Sequence, residues 1–160
     1  MAIKAGERMP QGTLKTMTPE GPKDLTTDEL FKGKKVVLFS VPGAFTPTCD
    51  AKHLPSFLEH ISELRAKGID TVACMAVNDV FVMNAWGKSA GASGKVLMLA
   101  DGNGDYAKAL GLTMDGSRFG MGLRGQRFAL VVDDGIARQV YVEAPGEFKV
   151  SSAEHVLKSL

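Results

Sequence analysis

The stretch from residue 35 to residue 77, KVVLFSVPGAFTPTCDAKHLPSFLEHISELRAKGIDTVACMAV, decides how the chain folds. After Lys35, the run VVLFSV is rich in β-branched and aromatic residues and stops at Pro42-Gly43, the pattern of a buried strand broken by a loop. Leu54, Phe57, Leu58, Ile61 and Leu64 then recur at helical spacing and make one apolar stripe, and Gly68 supplies a C-terminal stop. The spacing predicts a helix from Pro47 to Lys67. Thr71 to Val77 reads as a second strand, so strand, helix and strand form a right-handed βαβ unit with parallel pairing. Its chemically active end is the loop before the helix.

Outward from this unit the β/α alternation continues. Asn78-Asp79 can cap a helix reaching Trp86, Lys95 to Ala100 reads as a third strand, and Asp105 to Leu110 as a short helix. Arg127 to Val132 and Ala137 to Val142 read as antiparallel strands joined around Asp133-Asp134-Gly135, a hairpin signal. Ser151-Ser152-Ala153-Glu154 matches a capping box opening a C-terminal helix. This order predicts an α/β, thioredoxin-like fold, a central mixed sheet flanked by helices. With no internal repeat, low-complexity tract or linker, a single domain over residues 1–160 is expected.

Composition narrows the function classes. Hydrophobic residues make up 44% and charged residues 23%, ordinary for a packed globular chain. A net charge of +1, with Lys and Arg spread along the chain, offers no footprint for nucleic acid or an anionic membrane. Met1 to Pro10 has no apolar run of signal-peptide length and no stretch elsewhere is long enough to span a bilayer, so a cytoplasmic location is expected. The two cysteines, Cys49 and Cys74, resemble neither a disulfide framework nor a CxxC pair, which suits a compartment that keeps thiols reduced.

The residues before the first helix suit a reactive thiol. Thr46 is a good N-cap, Pro47 is favoured at the first helical position, and Cys49 falls in the first turn, where free amides and the helix dipole favour negative charge. A thiol of ordinary pKa ~8.5 is only slightly ionised near neutrality, whereas one lowered to ~6 is mostly nucleophilic thiolate. A cation is also wanted, and Arg124 and Arg127 both sit on a Gly-rich approach to a strand. Taken alone, Cys49 reads more readily as a small, inert residue at a helix start.

PGAFTPTC resembles the PxxxTxxC active-site motif of the peroxiredoxin family, and VPGAFTPTCDAKHLPSF is similar to its five-type subfamily, which includes the plant type II enzymes. The likeness continues through VNDVFVMNAW, GLRGQRFALVVDDG and the C-terminal GEFKVSSAEHVLKSL. It implies a thiol-dependent peroxidase that reduces hydrogen peroxide and alkyl hydroperoxides. Cys49 would be the peroxidatic cysteine, oxidised to a sulfenic acid; Thr46 would hydrogen-bond the peroxide, Pro42 shield the thiolate, and Arg127 serve as active-site arginine, with Arg124 as the alternative. No bound cofactor is implied, only an external thiol reductant, either glutathione with glutaredoxin or thioredoxin. Relatives also suggest a homodimer. The competing reading is a redox sensor that passes Cys49 oxidation to a partner protein.

Three further features are expected to stay outside the chemistry or at its margin. Cys74, inside the strand-like TVACMAV, reads as a packed apolar thiol, with a second redox cysteine as the functional alternative. Five-type relatives that resolve the sulfenic acid internally place a cysteine near the C-terminus, where this chain has Ser151 and Ser152, so resolution by an outside thiol is favoured. His53 lies one turn after Cys49; a thiolate–imidazole pair is possible, but a packed or solvent-facing ring is the simpler reading. Gly120 to Gly125 formally matches GxGxxG, yet it leads into a strand instead of opening a helix, which argues against a dinucleotide site. No metal-ligand spacing is present among the histidines and cysteines.

Overall fold

The computed structural model describes all of residues 1–160. The chain begins with an antiparallel pair, β1 (Thr13–Thr18) and β2 (Gly21–Thr26), followed by a short helix α1 (Thr27–Phe31) closed by a capping box between Thr26 and Glu29. Then come β3 (Lys35–Ser40), a π-helical turn (Cys49–His53), α2 (Leu54–Glu59), α3 (Ile61–Ala66) and β4 (Thr71–Ala76). The chain continues through α4 (Val80–Ser89), β5 (Leu97–Ala100) and α5 (Asp105–Leu110). A small hairpin, β6 (Thr113–Asp115) with β7 (Leu123–Gly125), precedes the long one, β8 (Phe128–Asp133) with β9 (Ile136–Val142). Helix α6 (Ala153–Lys158) ends it.

Seven strands form one mixed sheet in the order β2-β1-β5-β4-β3-β8-β9, with β5, β4 and β3 mutually parallel and the rest antiparallel. The central strands carry continuous apolar runs, VVLF in β3, VACMA in β4 and FALVV in β8, because both faces are covered. Alternation assigns the faces: Val37, Phe39 and Val41 point to one cluster, with Phe57, Leu64, Met83, Trp86 and Val156 of the covering helices. Val36 and Leu38 point to the other, beneath Phe31, Tyr106 and Leu110. This is the expected α/β arrangement. The β8–β9 turn is tight because Asp134 and Gly135 both take positive φ, at 47° and 83°, as a two-residue hairpin of this hand requires.

Two local expectations fail. The helix expected to run unbroken from Pro47 to Lys67 is interrupted twice, by the π-turn and by His60, which leaves helical geometry at φ −112°, ψ 15°. Pro55 supplies part of the reason: it has no amide to give Ala51, and the ladder instead closes from Leu54 N–H to the Cys49 carbonyl, one residue longer than an α-turn. At the C-terminus, the capping residue is Ser152, whose hydroxyl accepts from His155 N at 3.2 Å. Ser151 is turned away to a carboxylate, and Glu154 lies beside His60, so the expected capping box does not form.

Candidate active site

The segment between β3 and the π-turn folds over the carboxyl end of the sheet. Phe45 holds it in a strained form, with φ at +63°, a region that non-glycine residues rarely occupy. Ala44 N donates to Asn78 Oδ1 at 2.9 Å, pinning the loop to the start of α4. Gly43 is closely packed, since a Cβ there would lie 3.1 Å from Thr46 Cγ2 and 3.3 Å from Arg124 Nη1, tighter than ordinary contact. Thr46 does not cap the helix with its side chain as its position suggested. Its hydroxyl donates to the Gly43 carbonyl at 2.6 Å, and no protein amide donates to its oxygen.

Cys49 follows in the first turn and is fully buried. Arg127, immediately before β8, reaches it across the sheet: Nη2 donates to Sγ at 3.1 Å. The other terminal nitrogen, Nη1, lies 2.8 Å from His53 Nδ1. The π-turn matters here, because it keeps Cys49 and His53, four residues apart, facing the same guanidinium. Arg124 is elsewhere: it braces the loop from below through the carbonyls of Met121 (2.8 Å), Val77 (3.2 Å) and, weakly, Pro42 (3.5 Å). Of the two arginines left open by the sequence, Arg127 is the one at the sulfur.

His53 is neither a partner of the thiol nor a bystander. It is fully buried among Phe39, Phe57 and Phe148. Burial, then the Arg127 charge, lowers its pKa from 6.5 to about 3. The ring is therefore neutral at working pH. Its Nε2 lies 2.9 Å from the Ser151 carbonyl, so Nε2 carries the proton and Nδ1 accepts from Arg127. Ser151 in turn is tied to Glu143, which also gathers the amides of Lys149 and Val150. Burial pushes the Glu143 carboxyl up, but these donors outweigh it and hold it below the ordinary range. Glu143 and Phe148 were not singled out by the sequence, and Ser151 was read there only as a helix cap and as the place of a missing cysteine.

Cys74 sits in mid-strand on β4, paired in register with Phe39 and Met98, fully buried in the same apolar cluster as Cys49. Burial, and secondarily the neighbouring Cys49, pushes its thiol up, away from reactivity. Both thiols are free. The Gly120–Gly125 stretch forms the turn and second strand of the β6–β7 hairpin and opens no helix. It positions Arg124 and leads to Arg127. A buried thiol facing a guanidinium whose charge no carboxylate cancels can act as an anionic nucleophile toward a small electrophile with an anionic leaving group.

Known proteins agree with this chemistry. A family model described as Redoxin matches residues 4–157. Peroxiredoxin-2B of Arabidopsis thaliana is 46% identical over 159 residues, 99% of this chain and 98% of that protein. The chloroplastic peroxiredoxin-2E-2 of Oryza sativa subsp. japonica is 49% identical over 163 residues, 99% of this chain and 72% of that one. Among solved structures, reduced Prx3 from Vibrio vulnificus in complex with hydrogen peroxide matches with a TM-score of 0.95 at 50% identity, covering 98% of each chain. The chain thus belongs to the redoxin family, as a peroxiredoxin of the five-type, plant type II kind, and is a thiol-dependent peroxidase.

Proposed function

We propose that Cys49 attacks the peroxide, that Arg127 stabilises the charge moving onto the departing oxygen, and that Thr46 and Pro42 orient and enclose the substrate. The observation that carries this reading is the 3.1 Å approach of Arg127 Nη2 to the Cys49 sulfur. A donor with full positive charge beside sulfur favours the thiolate over the thiol. The thiolate bonds to the terminal hydroxyl oxygen of the peroxide as the O–O bond breaks, giving a Cys49 sulfenic acid and an alkoxide or hydroxide. Sulfur loses two electrons, the peroxide gains them, and the leaving oxygen takes a proton from water.

A guanidinium has five N–H groups. Arg127 commits one to Cys49 and one to His53, and the remainder can follow the negative charge onto the leaving oxygen. Because Thr46 gives its proton to Gly43, its oxygen lone pairs are left to accept the peroxide O–H and turn that oxygen toward sulfur.

An external thiol, from glutathione with glutaredoxin or from thioredoxin, resolves the sulfenic acid, with no bound cofactor. The mid-strand burial of Cys74 and the serines at 151 and 152 support this over an internal disulfide. Exposed aromatic rings at Phe45 (49% exposed), Phe81 (65%) and Phe119 (74%) support a homodimer, and the two free thiols support a reducing, cytoplasmic setting. The test is steady-state reduction of hydrogen peroxide and an alkyl hydroperoxide with glutathione plus glutaredoxin, compared with thioredoxin plus its reductase. Sustained turnover identifies the donor; stoichiometric oxidation without recycling in both systems contradicts the proposed cycle.

A further inference from the structure

We propose that Glu143 and His53 are positioning residues for Arg127: Glu143 gathers residues 149–151 so that the Ser151 carbonyl selects one tautomer of His53, and that tautomer orients the guanidinium against Cys49. This rests on reading Cys49 and Arg127 as the reacting pair.

The chain of contacts is continuous. Glu143 Oε2 accepts from the amides of Lys149, Val150 and Ser151 at 2.8 Å each and from the Ser151 hydroxyl at 2.7 Å. Ser151 O lies 2.9 Å from His53 Nε2, His53 Nδ1 lies 2.8 Å from Arg127 Nη1, and Arg127 Nη2 lies 3.1 Å from the sulfur. The backbone closes the loop, since Glu143 N donates to the Arg127 carbonyl at 3.0 Å. His53 and Ser151 are fully buried, so no water competes for these bonds without opening the core.

Only one protonation state of His53 satisfies both neighbours. With the proton on Nδ1, an N–H would face the Arg127 N–H and a bare nitrogen would face the Ser151 oxygen. The doubly protonated ring would set a second cation against Arg127. The charged groups facing the ring are Arg127 from the start of β8 and Glu143 from the end of β9, with the Cys49 sulfur on its own helix; Phe39, Phe57 and Phe148 supply the remaining walls.

The choice of an imidazole has a consequence for the chemistry. No carboxylate pairs with Arg127. A carboxylate would orient the guanidinium but also neutralise it, whereas a neutral acceptor orients it and leaves its charge for the sulfur and the peroxide. The acid that organises the site, Glu143, is kept one serine and one imidazole away.

The test compares His53→Leu, His53→Gln and Glu143→Gln with the parent enzyme. It reads single-turnover peroxide reduction, the pH profile of Cys49 alkylation, and the 15N resonances of the His53 ring. His53→Leu should slow peroxide reduction by about tenfold or more and change the pH profile of Cys49 alkylation. His53→Gln should stay within about threefold of the parent, because its amide can donate to Ser151 and accept from Arg127. The parent should show a single Nε2–H tautomer, and Glu143→Gln a mixture with a smaller loss of rate.

A folded His53→Leu enzyme with parental rate and profile would overturn the proposal, as would an Nδ1–H tautomer in the parent. The tautomer can be read without any substitution, so the second result stands even if a variant does not fold. Arg127→Gln serves as the reference: if it too leaves the rate and profile unchanged, the assignment of the reacting pair has failed, and not the chain behind it.

Discussion

His53 is fully buried and has a pKa lowered from 6.5 to about 3, by burial first and by the Arg127 charge second. In the unfolded chain the ring returns to solvent and titrates near ~6.5. Between these values the unfolded chain binds a proton that the folded chain refuses, so stability rises with pH across this window and is lost as the pH drops. The contribution is fully present above pH 6.5 and is lost progressively toward pH 3. At ~1.36 kcal/mol per pH unit in the window, going from pH 7 to pH 4.5 removes about 2.5 kcal/mol, or about 5–10 °C in Tm for a chain of this length.

Glu143, with its carboxyl held below the ordinary range, loses its contribution only at more acid pH, and the parent and a His53 variant share it. Thermal and urea unfolding at the two pH values should therefore show His53→Gln losing about 2.5 kcal/mol less than the parent over the same interval. Equal losses would refute the claim that His53 is held neutral by its site.

Three other outcomes follow from the same geometry. Thr46→Val keeps the shape but removes the oxygen that accepts the peroxide O–H, so alkylation of Cys49 should be retained while peroxide reduction slows by about tenfold; unchanged turnover would leave Thr46 only its bond to Gly43. Arg127→Gln should shift Cys49 alkylation to higher pH and lower kcat/KM by about a hundredfold or more, since one cation serves both sulfur and leaving oxygen; stopped-flow rates and the alkylation profile test both effects together. Cys74→Ser should retain most turnover with an external thiol donor, and a collapse of reductant-dependent cycling would make Cys74 the resolving residue.

The parts of the fold that were legible in sequence are those buried on both faces. VVLFSV and TVACMAV were legible as strands because they are short, apolar and β-branched runs bounded by loop signals, and Asp134-Gly135 marked its turn by the positive φ both residues adopt. The β1–β2 hairpin left little trace: TLKTMT and GPKDLT are polar edge strands in which only Leu14 is fully buried. The π-turn was hidden for another reason, since residues 49–53 suit either helix and only Pro55 hints at the interrupted ladder.

Within the site, Thr46, Pro47 and Cys49 were legible because first-turn residues and loops are local, although the side-chain cap expected of Thr46 does not form. Arg127 is 78 residues from Cys49, and only the resemblance to peroxiredoxins linked the two. His53 was visible as a neighbour of Cys49, but its part depends on Ser151, 98 residues away. Glu143 was invisible: its importance comes from four donors converging on one oxygen, which no local pattern announces.

The most direct test of the central claim is a peptide mass map after one equivalent of hydrogen peroxide, with no thiol added and the product trapped at once. Cys49 should carry a single added oxygen, trappable by a sulfenic-acid reagent, with Cys74 unmodified, and glutathione should convert that oxygen adduct to a mixed disulfide on Cys49. An unmodified Cys49 with peroxide consumed, or a Cys49–Cys74 disulfide as the main product, would contradict the account.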